Sequence, residues 1–251
     1  MLVAAAVCPC PPLLVPGVAA GAAPELDAAR AACTDALGVL AAARPGRLVV
    51  VGPVESRGPE TDPETYPEGA RGSFRGFGVD LDVRLGQGDE GLSPELGDEG
   101  SSAEQRLPYS LAVAAWLLER TGWSDAPVEG LGVGDRLARE RCARIGRDLA
   151  TRAERVALLV MGDASACRTL KAPGYLDERA APFDAEVARA LGTADMAALT
   201  TLDTGLAGEL KASGRAPWQI LAGAAEGADL GGSLLYEDAP YGVGYIVATW
   251  S

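Results

Sequence analysis

Histidine is absent from this chain of 251 residues. Histidine is the commonest side-chain ligand of transition metals and the commonest general base at neutral pH. Its absence excludes a Ser–His–Asp or Cys–His mechanism within this chain, because the nucleophile would lack its usual base.

Aromatic and basic residues are scarce as well. Aromatic side chains make up 5% of the chain, so its 48% hydrophobic content consists mainly of small side chains, which still suffice for a sizeable core. The 22 basic residues are outnumbered by 35 acidic ones, giving a formal net charge of −13. Because such a surface repels phosphate groups, we expect no nucleic acid and no anionic membrane among the partners. No apolar run is long enough to cross a bilayer.

The cysteine pattern does not resemble a disulfide framework. The count is odd and the spacing irregular, with cysteines at Cys8, Cys10, Cys33, Cys142 and Cys167. A reduced, cytoplasmic setting is therefore expected. Residues 1–16 are apolar but lack a basic region and are interrupted by prolines, so we expect a strand and loop there instead of a signal peptide.

Apolar runs alternate with helix-forming segments along most of the chain. Buried strands are predicted where short apolar runs occur, at residues 2–7, 47–51, 128–133, 156–161, 233–236 and 243–249. Helices are predicted where good helix formers continue, at residues 24–43, 107–120, 136–152, 183–214 and 216–226. Residues 194–195 and 203–204 are predicted as junctions between short helices within 183–214. This alternation predicts a single α/β domain spanning residues 1–251, with a mostly parallel or mixed sheet flanked by helices.

Other segments are predicted from their polar or glycine-rich composition. Residues 55–72 are expected to form a surface loop, and residues 74–85 an edge strand. Residues 87–105 are acidic and without periodicity, which predicts a solvated loop. Asp135 is expected to cap the helix that follows it.

The chain is organised around residues 156–184, where polar side chains follow a buried strand. The run at 156–161 ends at Gly162 and Asp163, and a turn of small residues follows. Polar side chains directly after a parallel strand lie at the carboxyl edge of an α/β sheet, where ligands usually bind. We expect this loop to meet residues 8–12 and 52–55, which follow the first two strands, with the turn 237–241 nearby.

An ordered set of short motifs resembles the superfamily formed by the B-type subunits of class III extradiol dioxygenases, which also includes the Memo-like proteins. The motifs occur at residues 8–16 (CPCPPLLVP), 49–54 (VVVGPV), 162–166 (GDASA), 172–175 (APGY), 182–184 (PFD) and 236–245 (YEDAPYGVGY). In this order they span nearly the whole chain. The resemblance implies an α/β fold like that of the B-type extradiol dioxygenase subunits.

The same resemblance bears on catalysis. Enzymes of that family hold non-haem Fe(II) through two histidines and a carboxylate, which leaves positions open for a catechol and O₂. The resemblance places the two histidine ligands at Cys10 and Val54, an acid–base histidine at Ala166, and the carboxylate at Glu237. Since all three histidines are missing, it implies a non-catalytic homologue with no expected cofactor, in which ordinary ring cleavage does not occur.

The cysteines near the predicted sheet edge have two interpretations each. Cys8 and Cys10 lie on one side of an extended segment, so they either bind a soft metal such as Zn²⁺ or pack as small apolar side chains. Cys167 is either a reactive thiol, whose pKa is lowered by cations such as Lys171, or a residue packed beneath Tyr175.

The polar candidates are open in the same way. Asp163 either caps the amides of the turn that follows it or faces a ligand. Ser165 either binds a ligand through its hydroxyl or forms a Ser–Lys pair with Lys171. Lys171 either receives an anionic ligand or forms salt bridges on the rim. Glu237 and Tyr241 flank a Pro–Gly turn, where they either contact a ligand or stabilise the turn.

Three functions follow from these alternatives. The first is a non-catalytic protein whose sheet-edge pocket binds a small molecule or a protein partner. The second is a divergent metal- or thiol-dependent oxidoreductase using Cys10, Asp163 and Glu237. The third is a structural subunit of a larger assembly. A homo-oligomer is compatible with each.

Overall fold

The structure is a computed structural model that describes residues 1–55, 62–88 and 106–251. The acidic loop predicted at 87–105 lies outside the described residues except for its first two positions. Nine strands occur in the described part of the chain: β1 (Leu2–Cys8), β2 (Arg47–Val54), β3 (Glu64–Tyr66), β4 (Arg71–Ser73), β5 (Asp82–Arg84), β6 (Val128–Gly134), β7 (Val156–Met161), β8 (Gly232–Asp238) and β9 (Tyr245–Trp250).

Seven of these strands form one mixed sheet in the order β3-β6-β2-β7-β1-β9-β8. The four central strands, β6, β2, β7 and β1, are parallel to one another. β3 pairs antiparallel with β6, and β9 runs antiparallel to both β1 and β8. The protein therefore has an α/β fold with a mixed sheet. β1 and β2 are parallel as expected, but β7 lies between them.

Helices cover both faces of the sheet. They are α1 (Pro16–Ala19), α2 (Asp27–Ala42), α3 (Tyr109–Thr121), α4 (Arg139–Ala150), α5 (Ala180–Gly192), α6 (Met196–Thr200), α7 (Thr204–Glu209) and α8 (Arg215–Ala224). α2 and α3 bury one face, and α4, α5 and α8 bury the other. Within the described ranges, no helix combines the length and apolar character needed to cross a membrane.

Strand residues alternate between the two cores because successive side chains of a strand point to opposite faces. In β7, Val156, Leu158 and Val160 join the core beneath α8, while Leu159 and Met161 join the core beneath α2 and α3. All six residues of β7 are buried. This explains why the strand is a continuous apolar run in the sequence.

Two expectations about the segment between residues 55 and 85 are wrong. Residues 55–72 contain β3 and the start of β4, so they are not a plain loop. Residues 74–85 do not form one strand: a 3-10 turn at Arg75–Phe77 is followed by Gly78 with φ of 82°, and only β5 is extended. β5 pairs with β4 in a separate two-stranded sheet.

Asp135 does not cap α4, which begins at Arg139 without a side-chain cap. Its backbone carbonyl accepts a hydrogen bond from the buried guanidinium of Arg215, which also donates to the carbonyl of Leu137 at 2.6 Å. This long-range anchor holds residues 135–138 in a loop, so the helix starts later than its composition predicts.

Candidate functional site

The loops after β1 and β7 meet at the carboxyl edge of the sheet. The two strands are parallel neighbours, so their carboxyl ends coincide. The amide of Gly162 donates to the carbonyl of Cys8 at 3.0 Å. The amide of Cys10 donates to Oδ1 of Asp163 at 2.8 Å. The predicted juxtaposition of these two loops is present.

Asp163 is a partly buried carboxylate with one hydrogen-bond donor. It does not cap the turn after it, because Oδ1 is turned towards the amide of Cys10. Its own amide donates to Oγ of Ser213 at 3.0 Å. Burial raises the pKa of Asp163 to about 7, and the Cys10 amide opposes this shift only in part. A carboxyl group that titrates near neutrality at a sheet edge is typical of functional sites.

A cavity of about 210 Å³ lies at the ends of β2 and β6 and at the start of α3. Asp163 does not line it, but Ser213, which accepts the Asp163 amide, does. Its wall combines the apolar Pro53, Val54, Ala207 and Ala212 with the polar Glu55, Tyr109, Asp135, Lys211 and Ser213. Burial raises the pKa of Tyr109, and the nearby Cys10 and Asp163 raise it further. The phenol of Tyr109 is therefore a hydrogen-bond donor at neutral pH.

A second carboxylate, Asp184, holds the turn that one of the two interpretations assigned to Asp163. The amide and the hydroxyl of Ser165 donate to Asp184, each at 2.8 Å. The guanidinium of Arg168 donates to the same carboxylate at 3.0 Å. Ser165 and Asp184 are buried, so Ser165 presents no hydroxyl to a ligand, and Lys171 is exposed and does not pair with it. The Ser–Lys hypothesis is wrong.

The thiols near the site are buried and protonated. Burial raises the pKa of Cys10 well above its usual value, and the Asp163 carboxylate adds to this. Cys8 hydrogen-bonds with Cys33, which raises the pKa of Cys8 more than burial does. Burial also raises the pKa of Cys167, whose Sγ lies 3.5 Å from the carbonyl of Leu210. The expected lowering of that pKa by nearby cations is contradicted, because burial and Asp177 outweigh them.

The residues that the resemblance places at iron-ligand positions do not fit iron. Val54 lines the cavity but has no donor atom, and the Cys10 thiol resists ionisation. Glu237 is exposed on the edge strand β8 and does not line the cavity. Among the described residues, no group of three or more cysteine, aspartate or glutamate side chains could hold a metal ion.

The remaining sequence candidates lie on the rim of the site. Ala166 is half-buried, and its amide donates to the carbonyl of Leu210 at 2.9 Å. Tyr175 is 63% exposed, while Cys167 is buried. The turn after β8 does approach this loop, since the amide of Arg168 donates to the carbonyl of Gly242 at 3.0 Å.

Three residues with strained backbones belong to these edge loops. Tyr175, Lys211 and Tyr241 have φ of 63°, 56° and 60°, in the left-handed region that side chains disfavour. Lys211 Nζ lies 3.5 Å from the carbonyl of Pro173. Ala20, Arg44 and Ala194 have φ of 48°, 47° and 52° elsewhere in the described residues, so this conformation is not confined to the edge loops.

Sequence reasoning missed several cavity residues. Tyr109 begins α3, and Lys211 and Ser213 lie between α7 and α8, in a region predicted only as helix. Lys211 and Ser213 come to the cavity through the tertiary arrangement of the segment between α7 and α8, and no local pattern in the sequence marks them.

Comparisons with known proteins add information about the fold. No protein-family model matches the chain, and no curated protein matches it in sequence. One similar solved structure is described as "Crystal structure of uncharacterized protein JW3007 from Escherichia coli K12". It superposes with a TM-score of 0.55 at 13% identity, over 99% of each chain. At this identity the likeness shows a shared fold over the whole length and nothing about activity.

Proposed function

We propose that this chain is a non-catalytic relative of the B-type subunits of class III extradiol dioxygenases, whose sheet-edge cavity binds a small polar molecule. The observation that carries the proposal is the cavity at the carboxyl edge of the sheet, whose wall includes Val54, Tyr109, Lys211 and Ser213. Asp163 does not line it, but lies behind its wall, where the Asp163 amide donates to Oγ of Ser213.

The loss of iron chemistry is part of the proposal. A facial triad needs three strong ligands with open positions beside them. Of the three expected ligand positions, Val54 has no donor atom, the Cys10 thiol stays protonated, and Glu237 does not line the cavity. Alanine at position 166 also removes the expected acid–base histidine. The proposed function therefore needs no cofactor. We also place the protein in the cytoplasm, since its five cysteines are unpaired.

The cavity limits the size of the ligand. Its volume of about 210 Å³ is below the ~300–1,000 Å³ of ordinary ligand sites. Its wall has an apolar side around Val54 and a polar side around Tyr109 and Lys211. A single-ring phenol with adjacent hydroxyl groups matches this division, so we take catechol as the probe.

The test combines ligand-observed NMR with oxygen and metal measurements. We expect catechol to bind, and Lys211→Met to weaken binding about tenfold, since a hydrogen bond to a charged group is removed. Lys171→Met is the matched control, because Lys171 is exposed and does not line the cavity. After anaerobic reconstitution with Fe(II) and desalting, we expect far less than one metal per chain and no oxygen uptake with catechol.

Two results would contradict the proposal. Catechol binding that is absent, or that Lys171→Met weakens as much as Lys211→Met, would remove the sheet-edge cavity as a ligand site. If the wild-type protein instead retains one metal per chain and consumes oxygen with catechol, and if Cys10→Ser abolishes metal binding, the protein is the divergent enzyme.

Docking of a second copy of the chain is the other candidate function. It is favoured by apolar side chains exposed on the loop after β7, where Leu170 and Leu176 are 62% and 46% exposed beside Tyr175. Exposed apolar side chains grouped on one loop are typical of interaction surfaces. Light scattering should then give the molar mass of a dimer for the wild-type chain and that of a monomer for the double variant Leu170→Ser, Leu176→Ser. A wild-type chain with the molar mass of a monomer would exclude this function.

A further inference from the structure

A cleft rich in arginine lies apart from the sheet-edge cavity. Its volume is about 430 Å³, and the strands β4 and β5 form it together with α3. The charged residues of its wall are Arg71, Arg75, Arg84, Arg106, Asp82 and Glu119. It shares no lining residue with the sheet-edge cavity.

Three of these four guanidinium groups lack a carboxylate partner among the described residues. Arg75 is the exception, since it donates to Asp80 at 2.7 Å and to Asp82 at 2.9 Å. In the part of the chain that the structure describes, no carboxylate lies within 4.0 Å of the guanidinium groups of Arg71, Arg84 and Arg106.

The register of the two strands places two of these arginines directly opposite each other. Arg71 and Arg84 are cross-strand partners in the antiparallel pair β4–β5, so their side chains leave the same face. Like charges in this position repel and destabilise a strand pair. Glu119 is nearby, but its Oε1 accepts the backbone amide of Arg84 at 2.7 Å, not the guanidinium.

This concentration of positive charge contrasts with the rest of the molecule. The chain has 13 more acidic than basic residues, so carboxylates are abundant. Asp82 is paired with Arg75. Among the described residues of the cleft wall, Glu119 is then the remaining carboxylate, whereas Arg71, Arg84 and Arg106 are three cations without a carboxylate partner. The cleft is therefore electropositive on an acidic protein, which concentrates anions there.

The scaffold beneath the cleft is tightly packed. Gly72, which follows Arg71 in β4, is buried so closely that a Cβ atom there would lie 2.9 Å from Cβ of Ala112 on α3. The strand pair thus packs directly on the helix. A guanidinium group held on a packed scaffold binds phosphate or carboxylate oxygens through two parallel hydrogen bonds, with less entropy to lose.

We propose that this cleft binds a small organic anion with at least two negative charges, of the phosphate or carboxylate class. The guanidinium groups of Arg71, Arg84 and Arg106 supply the contacts, and the bound anion removes the repulsion between Arg71 and Arg84. The volume lies within the ~300–1,000 Å³ range of ligand sites.

Calorimetric titration of the full chain tests this site, with pyrophosphate and citrate as separate probes. Sodium chloride at matched ionic strength removes screening differences, and passing the protein and buffers over a chelating resin before titration removes metal ions without adding a competing anion. We expect saturable binding of at least one probe with one site per chain. Tighter binding of pyrophosphate would identify the phosphate class, and tighter binding of citrate the carboxylate class.

Three variants of cleft-wall residues test whether the probe binds at this site. Arg71→Gln and Arg84→Gln should each weaken the bound probe about tenfold or more, because each removes a charge-assisted hydrogen bond. Glu119→Gln should tighten binding, since it removes a negative charge and keeps an acceptor for the Arg84 amide. Arg144→Gln is the matched control, an exposed arginine on α4 without a carboxylate partner among the described residues.

The outcomes that overturn the proposal are equally specific. Absence of saturable binding by both probes would refute the site, and so would binding that survives Arg71→Gln and Arg84→Gln unchanged. Equal weakening by Arg144→Gln would show general attraction of anions to surface arginines, which also refutes a site. All positions altered are exposed, so circular dichroism should show the fold unchanged.

Discussion

Two carboxylates at the carboxyl edge of the sheet differ in their partners. Asp163 accepts one amide, whereas Asp184 accepts an amide, a hydroxyl and a guanidinium. Burial raises the pKa of both, and more donors oppose this shift around Asp184. Asp184 thus has the partners of a structural group, while the Asp163 carboxyl has fewer donors to offset its burial.

Replacing Asp163 tests this difference through pH. The folded-state pKa of Asp163 is about 7, above its ordinary 3.8, so the carboxyl stabilises the fold when protonated and this is lost as pH rises through 7. Asp163→Asn, which keeps an acceptor for the Cys10 amide, should be more stable than wild type at pH 8 by about 2 kcal/mol, after allowance for partial exposure. Urea unfolding at pH 5 and pH 8 should show the two proteins converging at the lower pH.

The control is a carboxylate whose pKa is lowered instead of raised, so its effect on stability has the opposite dependence on pH. Hydrogen bonds from Arg179 lower the pKa of Asp177 to about 2, so this carboxylate stabilises the fold at neutral pH and loses the effect as pH falls towards 2. Asp177→Asn should therefore gain nothing at pH 8. A wild-type stability that rises between pH 5 and 8 relative to Asp163→Asn would contradict the assignment.

Replacing Asp184 should be far more damaging. Asp184→Ala leaves the Ser165 amide and hydroxyl and the Arg168 guanidinium without their acceptor in a buried turn, which should cost about 3 kcal/mol in urea unfolding. Glu186→Ala, in the same helix but exposed, should leave stability nearly unchanged. Similar effects of the two changes would show that the turn does not depend on Asp184.

At the scale of elements, two helices approach closely because glycine faces each contact. A Cβ on Gly146 of α4 would lie 2.1 Å from the carbonyl oxygen of Ile220 on α8, and one on Gly223 would lie 2.3 Å from that of Ala143. These distances involve backbone atoms, so no side chain can move aside. The pair of glycines therefore sets the distance between α4 and α8.

Alanine substitutions at two helical glycines distinguish the effect of helix–helix packing on stability from the effect of helix propensity. Gly146→Ala should destabilise the protein by about 2 kcal/mol or more, because the helices must move apart. Gly38→Ala on α2 has open space around its Cβ and should stabilise by about 0.5–1 kcal/mol through helix propensity. Thermal unfolding of both variants is the measurement. Stabilisation by both would show that α4 and α8 are not held at contact distance.

At the scale of the whole molecule, the sheet is most protected at its centre. β7 is buried along its length and paired on both sides, whereas β3 and β8 lie at the two edges. Amide hydrogen exchange should therefore be slowest in β7 and its neighbours β1 and β2, and fastest in β3 and β8. Faster exchange in β7 than in β8 would contradict this sheet order.

Much of this architecture was predictable from local patterns. The strands at 2–7, 47–51, 128–133 and 156–161 are present because fully buried strands are apolar runs in a sequence. The breaks at Asp195 and Asp203 are N-caps of α6 and α7, as short polar side chains before helices predict. Residues 74–85 were predicted wrongly because alternation indicates an extended segment but does not show where a glycine reverses it.

The sequence by itself determined the secondary structure of the core, the acidic surface, the lack of histidine chemistry and the meeting of the loops at one edge. These follow from composition and from periodicity along the chain. Only the tertiary structure decided that Asp163 accepts the Cys10 amide, that Lys211 and Ser213 join the cavity, and that Arg71 opposes Arg84. Such contacts join residues far apart in the chain or depend on strand register, and local preference carries no information about either.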